Sequence, residues 1–263
     1  MQEKLFRVLG QERRDLEESK EHQQRKPAAM KLYRAMGFLD ALPPASDNKV
    51  PIDHFLVFGA MIDKVKARFK DFVTQYTQQG LRCKNLVLLG GVRVLIQHEI
   101  EKIESELGEQ GLQQFLNQLK KTDKQTLTEV DLFRFMWSEY ATDELKAAFE
   151  EGKNLFFINS TTITDGTNNP LTTKTTLEAW YETCRPTPGR CHSNVEKPYA
   201  MRTEKMLRLF LEKASKGLPK DSPRFSITWN SAPANEHLAL PTFDDELARE
   251  FCTELALHKF LKE

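Results

Sequence analysis

Short apolar runs alternate with amphipathic stretches along most of the chain. Residues 54–58 form the first run, which Gly59 follows, and residues 85–89 form the second, which Gly90 and Gly91 follow. Between the two runs, apolar residues recur at three- and four-residue intervals, which predicts a helix. The same reasoning predicts later strands at 154–158, 190–195 and 225–229, and helices at 61–77, 177–184, 199–216 and 244–262.

This alternation favours one fold class. Continuous apolar strands are typical of parallel sheets whose two faces are covered by helices, and strand, helix and strand in sequence form a βαβ unit. We therefore predict a Rossmann-like α/β fold, with a mostly parallel sheet and helices on both faces. Residues 1–45 are predicted to be an N-terminal helical segment, and residues 46–263 the α/β domain with a helical insertion near 94–150.

Composition narrows the classes of partner. Lys+Arg and Asp+Glu both number 38, so the net charge is zero, which argues against nucleic acid or an anionic membrane. No apolar run approaches the roughly 20 residues of a membrane span, and the charged N-terminus is unlike a signal peptide. We expect a cytoplasmic protein. The four cysteines form no CxxC pair, and the six histidines show no metal-binding spacing, so no metal site is predicted.

In open parallel sheets, ligands bind beyond the carboxyl ends of the strands. The residues that follow the predicted strands are Gly59, Gly90, Gly91, Arg93 and Asn230. Glycine lets a ligand approach the backbone closely, although tight turns without a ligand would explain the same residues. Neither a GxGxxG nor a Walker lysine motif occurs.

Two arginines lie beside apolar helix faces. Arg68 is at the edge of the face of its predicted helix, and Arg202 shares a face with Tyr199 three residues earlier. A buried guanidinium needs a partner. For Arg68 an anionic ligand is one option, and an internal carboxylate or extension to solvent is the other. Arg202 could bind an anion bidentately, or it could be an ordinary interface arginine.

Glu129 is the candidate catalytic residue. It falls on the apolar face of a predicted helix, near the start of that helix. An inward carboxylate there could bind a ligand hydroxyl or act as a general base. The alternative is a capping box between Thr126 and Glu129.

A polar turn precedes the next predicted helix. Thr172, Thr173, Thr175 and Thr176 surround a lysine there, and hydroxyl and N–H groups at a helix start can bind phosphate or carboxylate. The alternative is again helix capping, with Thr175 paired to Glu178.

Over residues 53–232, the order of these segments resembles the SanA/ElyC/YdcF-type family of uncharacterised α/β proteins. The residues that carry the resemblance are Gly59, Arg68, Gly90-Gly91, Thr128-Glu129, Thr172-Thr173-Lys174-Thr175-Thr176, Tyr199 and Arg202. The chain departs from the family at Tyr199, where many members have histidine, and in the long insertion between Gly91 and Glu129. The resemblance implies that the chain is closer to the soluble members of the family than to the membrane-anchored ones. Binding of S-adenosylmethionine has been associated with one branch of the family.

The sequence thus predicts binding of a small anionic, nucleotide-like ligand, either similar to S-adenosylmethionine or phosphorylated. It does not decide whether a reaction follows or which cofactor is used. One alternative is a hydrolase or transferase that acts on a phosphorylated or glycosylated substrate. The other is a non-enzymatic interaction protein that docks a protein partner through the N-terminal helix and residues 94–124.

Overall fold

The structure is a computed structural model that describes residues 18–43, 51–160, 173–216, 219 and 221–262. Within these residues the chain forms eight α-helices, five β-strands and one short 3-10 turn. In chain order the helices and strands are α1 (Lys20–Ala35), β1 (Ile52–Phe58), α2 (Ile62–Gln78), β2 (Cys83–Gly91), α3 (Gln97–Gln118), α4 (Glu129–Tyr140), α5 (Asp143–Ala148), β3 (Leu155–Ser160), α6 (Thr173–Cys184), β4 (Arg190–Asn194), α7 (Tyr199–Ser215), β5 (Ser226–Asn230) and α8 (Leu240–Lys262).

The five strands form one parallel sheet in the order β3-β2-β1-β4-β5. In the register, Phe58 of β1 pairs with Leu89 of β2, and Leu56 of β1 pairs with Ser193 of β4. The predicted Rossmann-like α/β class is therefore confirmed. The order of the strands reverses between β1 and β4, and in folds of this kind the crevice at the reversal is where ligands bind.

Side chains alternate between the two faces of the sheet, because successive residues of a strand point in opposite directions. Phe55 and Val57 of β1 belong to a large buried core that includes apolar residues of α2, α3, α4 and α5. His54 points to the other face, where its ring lies edge-on to Trp180 of α6 at 5.7 Å between centroids. Helices thus cover both faces, as predicted.

The insertion between β2 and β3 is helical, with one break inside α3. Gly108 has φ 67°, a left-handed conformation that glycine adopts without steric cost, and it interrupts the helical geometry of α3. At Gly111, by contrast, α3 continues without a break.

The described residues divide into two compact units. Unit 1 takes its residues from Met1–Ala45, Val195–Gly217 and Trp229–Glu263, and unit 2 takes them from Ser46–Asn194 and Leu218–Thr228. The predicted boundary between residues 45 and 46 falls outside the described residues. The two C-terminal ranges of unit 1 were predicted to belong to the α/β domain, but they group with the N-terminal segment.

Unit 1 is built on a small apolar cluster that joins α1 to α8. Tyr33 stacks on Phe243 at 5.5 Å between ring centroids, and Phe38 and Leu39 are buried in the same cluster. The Tyr33 hydroxyl donates to the carboxylate of Asp244. These contacts are made across about 200 residues of sequence, which is why periodicity alone did not show that the N- and C-terminal segments form one unit.

Candidate functional site at the carboxyl end of β1

A short antiparallel bridge places the start of α4 beside the end of β2. The Glu129 N–H donates to the carbonyl of Arg93 at 3.0 Å, and Val94 pairs with Thr128. Thr128 is the N-cap, and the Asp131 carboxylate accepts from its N–H at 2.8 Å and its hydroxyl at 2.7 Å. The predicted capping box between Thr126 and Glu129 is therefore wrong. The Glu129 side chain is left available for another role.

The Glu129 carboxylate packs directly against Gly59. A Cβ atom on Gly59 would lie 2.8 Å from each carboxylate oxygen, so no larger residue fits there without movement. The Gly59 N–H donates to Leu89 at 2.8 Å. This N–H is therefore used within the sheet, and the glycine makes room for the carboxylate. A ligand-binding role for Gly59 stays a prediction.

Gly90 and Gly91 have a similar explanation. They do not follow β2 but form its last two residues, paired with Asn159 and Ser160 of β3. A Cβ atom on Gly90 would lie 2.8 Å from the Val130 Cα, which is backbone and cannot rotate away. The absence of a side chain therefore lets the first turn of α4 pack onto the strand. A ligand-binding role for these glycines stays a prediction.

Arg93 holds the buried carboxylate of Glu99 in a bidentate ion pair. The two guanidinium–carboxylate distances are 2.7 and 3.1 Å, and Arg93 also donates to the Ala60 carbonyl at 3.1 Å. The N–H groups of Ile62 and Ile96 donate to the same carboxylate at 3.0 and 3.1 Å. Glu99, whose side chain is 0% exposed, is thus satisfied within the protein. Sequence reasoning missed it, since it is one of several glutamates on a charged helix.

Glu129 is in a different position from Glu99. Its carboxylate lies 3.5 Å from Arg93, and 15% of its side chain is exposed. Burial raises the pKa of Glu129 above the ordinary value, against the opposing charges of Arg93 and Arg68 and with the help of the Glu99 charge. A carboxyl group with a raised pKa that remains in contact with solvent can exchange a proton or accept a hydrogen bond from a ligand.

Arg68 links the end of β1 to the end of β4. Its Nη1 donates to the carbonyls of Phe58 and Gly59 at 2.7 and 3.1 Å, and the residue is 7% exposed. Asn194, the last residue of β4, donates to the Arg68 carbonyl at 2.8 Å and to Asp71 at 2.7 Å. These contacts cross the point at which the strand order reverses. Sequence reasoning did not single out Asn194, although an asparagine at a strand end was a usable signal.

Tyr199, Arg202 and Asn230 belong to unit 1. The Arg202 Nε donates to the buried Glu246 carboxylate at 2.9 Å, and Nη1 contacts the Met206 sulfur at 3.0 Å. Arg202 is therefore paired with a carboxylate of the protein itself. Tyr199 begins α7 and is 9% exposed, and Asn230 ends β5 and is 6% exposed. Their binding roles stay predictions.

The threonine-rich turn is described only in part. Thr172 lies outside the described residues, whereas Thr173, Thr175 and Thr176 belong to the first turn of α6. Because the helix begins at Thr173, the predicted cap formed by Thr175 and Glu178 is wrong. Glu178 instead lies 3.5 Å from the Lys174 ammonium. A binding role for these threonines stays a prediction.

The described residues contain neither a metal site nor a membrane-spanning helix, and the comparisons with known proteins found no match. In the part of the chain that the structure describes, no group of three His, Cys, Asp or Glu residues is arranged to hold a metal ion. No helix among the described residues combines the length and the apolar character needed to span a membrane. Comparison of the chain with protein-family models, curated proteins and solved structures found no significant match. The resemblance to the SanA/ElyC/YdcF-type family therefore stays a prediction.

Proposed function

We propose that unit 2 binds a small anionic, nucleotide-like ligand at the carboxyl end of β1, with Glu129 in contact with the ligand. The observation that carries the proposal is the state of Glu129, which is a partly exposed carboxyl group with a raised pKa beside an arginine at 3.5 Å. It lies against Gly59, at the end of the strand that borders the reversal of strand order. In folds of this kind that reversal is the usual binding crevice.

The charges of the cluster support an anionic ligand. Arg68 and Arg93 contribute two positive charges, and Glu99 and Glu129 contribute two negative charges when both are ionised. Since the pKa of Glu129 is raised, this group is protonated more readily than an ordinary glutamate, and its protonation leaves the cluster with one net positive charge. Binding of an anion is then expected to be coupled to proton uptake by Glu129.

The form of the ligand follows from the same groups. A carboxyl group beside a guanidinium accepts from hydroxyls when ionised and donates when protonated. A ribose hydroxyl and a phosphate or carboxylate group would together engage Glu129 and Arg93. S-adenosylmethionine and nucleoside phosphates carry both kinds of group, which is why we expect a nucleotide-like molecule rather than a simple anion.

A thermal-shift screen of nucleotides, S-adenosylmethionine and sugar phosphates tests the proposal. A ligand present at 100 times its Kd stabilises the folded state by about 2.7 kcal/mol. We expect this shift in the wild type, its loss in Glu129→Ala, and its retention in Glu151→Ala. Glu151 is the matched control, since it also pairs with an arginine, Arg134 at 2.7 Å, but on an exposed surface. A full ligand response in Glu129→Ala, or no response of the wild type to the panel, would contradict the proposal.

The raised pKa of Glu129 also favours a second candidate, an enzyme that uses this group as a general acid or base. Catalytic carboxyl groups are often tuned upward by burial so that they exchange protons near the working pH. For a hydrolase or transferase that acts on a phosphorylated or glycosylated substrate, the rate would depend on an ionisation above the ordinary glutamate value. A pH–rate profile on any substrate found in the screen separates this candidate from simple binding, which shows no turnover.

A further inference from the structure

Lys197 is an unusual lysine. It follows the end of β4 by three residues along the chain and is 2% exposed, whereas lysines are almost never fully buried unless they are paired. Its backbone N–H donates to the Ala232 carbonyl at 3.1 Å. Among the described residues, its ammonium group has no hydrogen-bond or ion-pair partner.

Lys205, on α7 of the same unit, shows the usual arrangement. Its ammonium lies 2.7 Å from Glu250 and 2.5 Å from Glu254. Lys197 is affected by the charges of Glu250, Glu204 and Asp40, yet it contacts none of them. Burial lowers the pKa of Lys197, and these three carboxylates oppose that effect. The two lysines therefore differ in contact with a carboxylate and not only in burial.

Glu250 also has unused capacity. Its Oε1 accepts from Lys205, but its Oε2 is buried without a hydrogen-bond partner among the described residues. A buried polar atom without a partner is uncommon and calls for an explanation, such as an unseen water or ligand. A group that accepts from the Lys197 amine and donates to Glu250 would satisfy both.

We propose that Lys197 is a nucleophilic amine that forms an imine with a small aldehyde or ketone, with Glu250 as the neighbouring acid. Desolvated lysines are the residues that proteins use for this chemistry. The Lys197 ammonium first gives a proton to the Glu250 carboxylate, and the amine nitrogen attacks the carbonyl carbon. A proton then moves from nitrogen to oxygen to give a carbinolamine. Protonated Glu250 protonates the hydroxyl, which leaves as water, so that a protonated imine and the Glu250 carboxylate remain. This site lies within unit 1 and is independent of the ligand proposed for unit 2.

The burial of Lys197 restricts the size of its partner. Because only 2% of the residue is exposed, we expect a two-carbon carbonyl compound to reach the amine and a substituted aromatic aldehyde to be excluded. The site should therefore discriminate by size among carbonyl compounds. An exposed lysine does not discriminate in this way.

Reductive alkylation of the folded full-length chain tests the proposal. The protein is treated with limiting acetaldehyde and sodium cyanoborohydride at pH 7, and each lysine is followed by peptide mass spectrometry. We expect Lys197 to be modified at least fivefold faster than Lys205 and than the exposed Lys153, whose side chain is 75% exposed. Pyridoxal phosphate in place of acetaldehyde should modify Lys153 and spare Lys197.

Two results would overturn the proposal. One is modification of Lys197 by acetaldehyde no faster than Lys153, which would show that its amine is not activated. The other is an unchanged Lys197 rate in Glu250→Gln, which would remove the neighbouring acid from the account. The rate at Lys153 in the same sample serves as the internal control for reagent activity, and circular dichroism checks the folding of the variant.

Discussion

The two ends of β1 both have a carboxylate pressed against a glycine. At the carboxyl end, a Cβ atom on Gly59 would lie 2.6 Å from the Glu129 carboxyl carbon. At the amino end, a Cβ atom on Gly189 would lie 2.6 Å from the Asp53 carboxyl carbon. The two sites are therefore alike in their packing. They differ in how the carboxylate is satisfied.

Asp53 has close donors and Glu129 does not. The Lys84 ammonium lies 2.6 Å from Asp53, and the Arg190 N–H donates to it at 2.8 Å. Although burial acts to raise it, these contacts lower the pKa of Asp53 below the ordinary value. For Glu129 burial prevails, and Arg93 at 3.5 Å does not offset it.

The two ends of β1 show how a structural carboxylate can be distinguished from a functional one. Contact with a glycine does not distinguish them, because packing alone requires it at both ends of the strand. The informative property is an incomplete set of donors around a group that remains accessible. By that criterion the carboxyl end of β1 is the candidate site and the amino end is structural.

The largest expected change in the free energy of unfolding comes from removing the cation at the carboxyl end of β1. Removal of the cation at the amino end is the control. Arg93→Met leaves the Glu99 carboxylate buried with two backbone donors and no counter-ion, and we expect a loss of about 3–5 kcal/mol in the free energy of unfolding. Lys84→Met should cost less than about 0.5 kcal/mol, because the Lys84 side chain is 69% exposed and surface ion pairs contribute little. Urea denaturation measures both. Equal stability losses in the two variants would show that the two ends of β1 do not differ in their need for a counter-ion.

A double-mutant cycle examines the contact between Gly59 and Glu129. Gly59→Ala forces the added methyl group against a carboxylate, and we expect a loss of about 1–3 kcal/mol. In a Glu129→Ala background most of that loss should disappear, because the two residues are in contact and their effects are not additive. The cycle formed by Gly189→Ala and Asp53→Ala is the control at the amino end. Additive effects of Gly59→Ala and Glu129→Ala would show that the glycine is required for another reason.

The smallest expected effect is on the pH dependence of folding stability, which should have opposite signs at the two ends of β1. Between the unfolded pKa of Glu129, near 4.5, and its higher folded value, the folded chain binds more protons, so stability falls as pH rises. Glu129→Gln should therefore gain stability relative to the wild type above about pH 4.5. Asp53→Asn should lose about 1 kcal/mol at neutral pH, and this deficit should shrink as the pH falls below the unfolded pKa of 3.8 and through the lower folded pKa. Urea titrations between pH 3 and 8 test both signs. A deficit of Glu129→Gln that grows with pH would contradict the account.

The order of the elements could be predicted from sequence because each strand of the α/β core is a local apolar run. The end of β2 could not, since Gly90 and Gly91 resemble a turn until the packing of α4 against them is known. Nothing in the sequence indicates that residues 195–217 and 229–263 join the N-terminal segment. That arrangement depends on contacts such as Tyr33 with Phe243, which are remote in sequence.

The candidate site could likewise be predicted only where local patterns identify its residues. Glu129 and Arg93 follow strands or begin helices, so local patterns identified them. Glu99 did not stand out, because its burial arises only when the start of α3 meets Arg93 and the start of α2. Arg202 looked like an anion clamp, but its partner Glu246 is 44 residues away along the chain. Sequence shows which residues can be charged and buried, whereas tertiary contacts decide whether the protein itself satisfies them.

Carbon-13 NMR titration of the side-chain carboxyl groups tests most directly whether the carboxyl end of β1 holds an unsatisfied carboxyl group. We expect the Glu129 carboxyl carbon to titrate with a midpoint above pH 4.5 and the Asp53 carboxyl carbon to titrate with a midpoint below pH 3.8. The Glu129 midpoint should also shift when a ligand from the thermal-shift screen is added, while the Asp53 midpoint stays constant. A Glu129 midpoint at or below 4.5 would contradict the central claim.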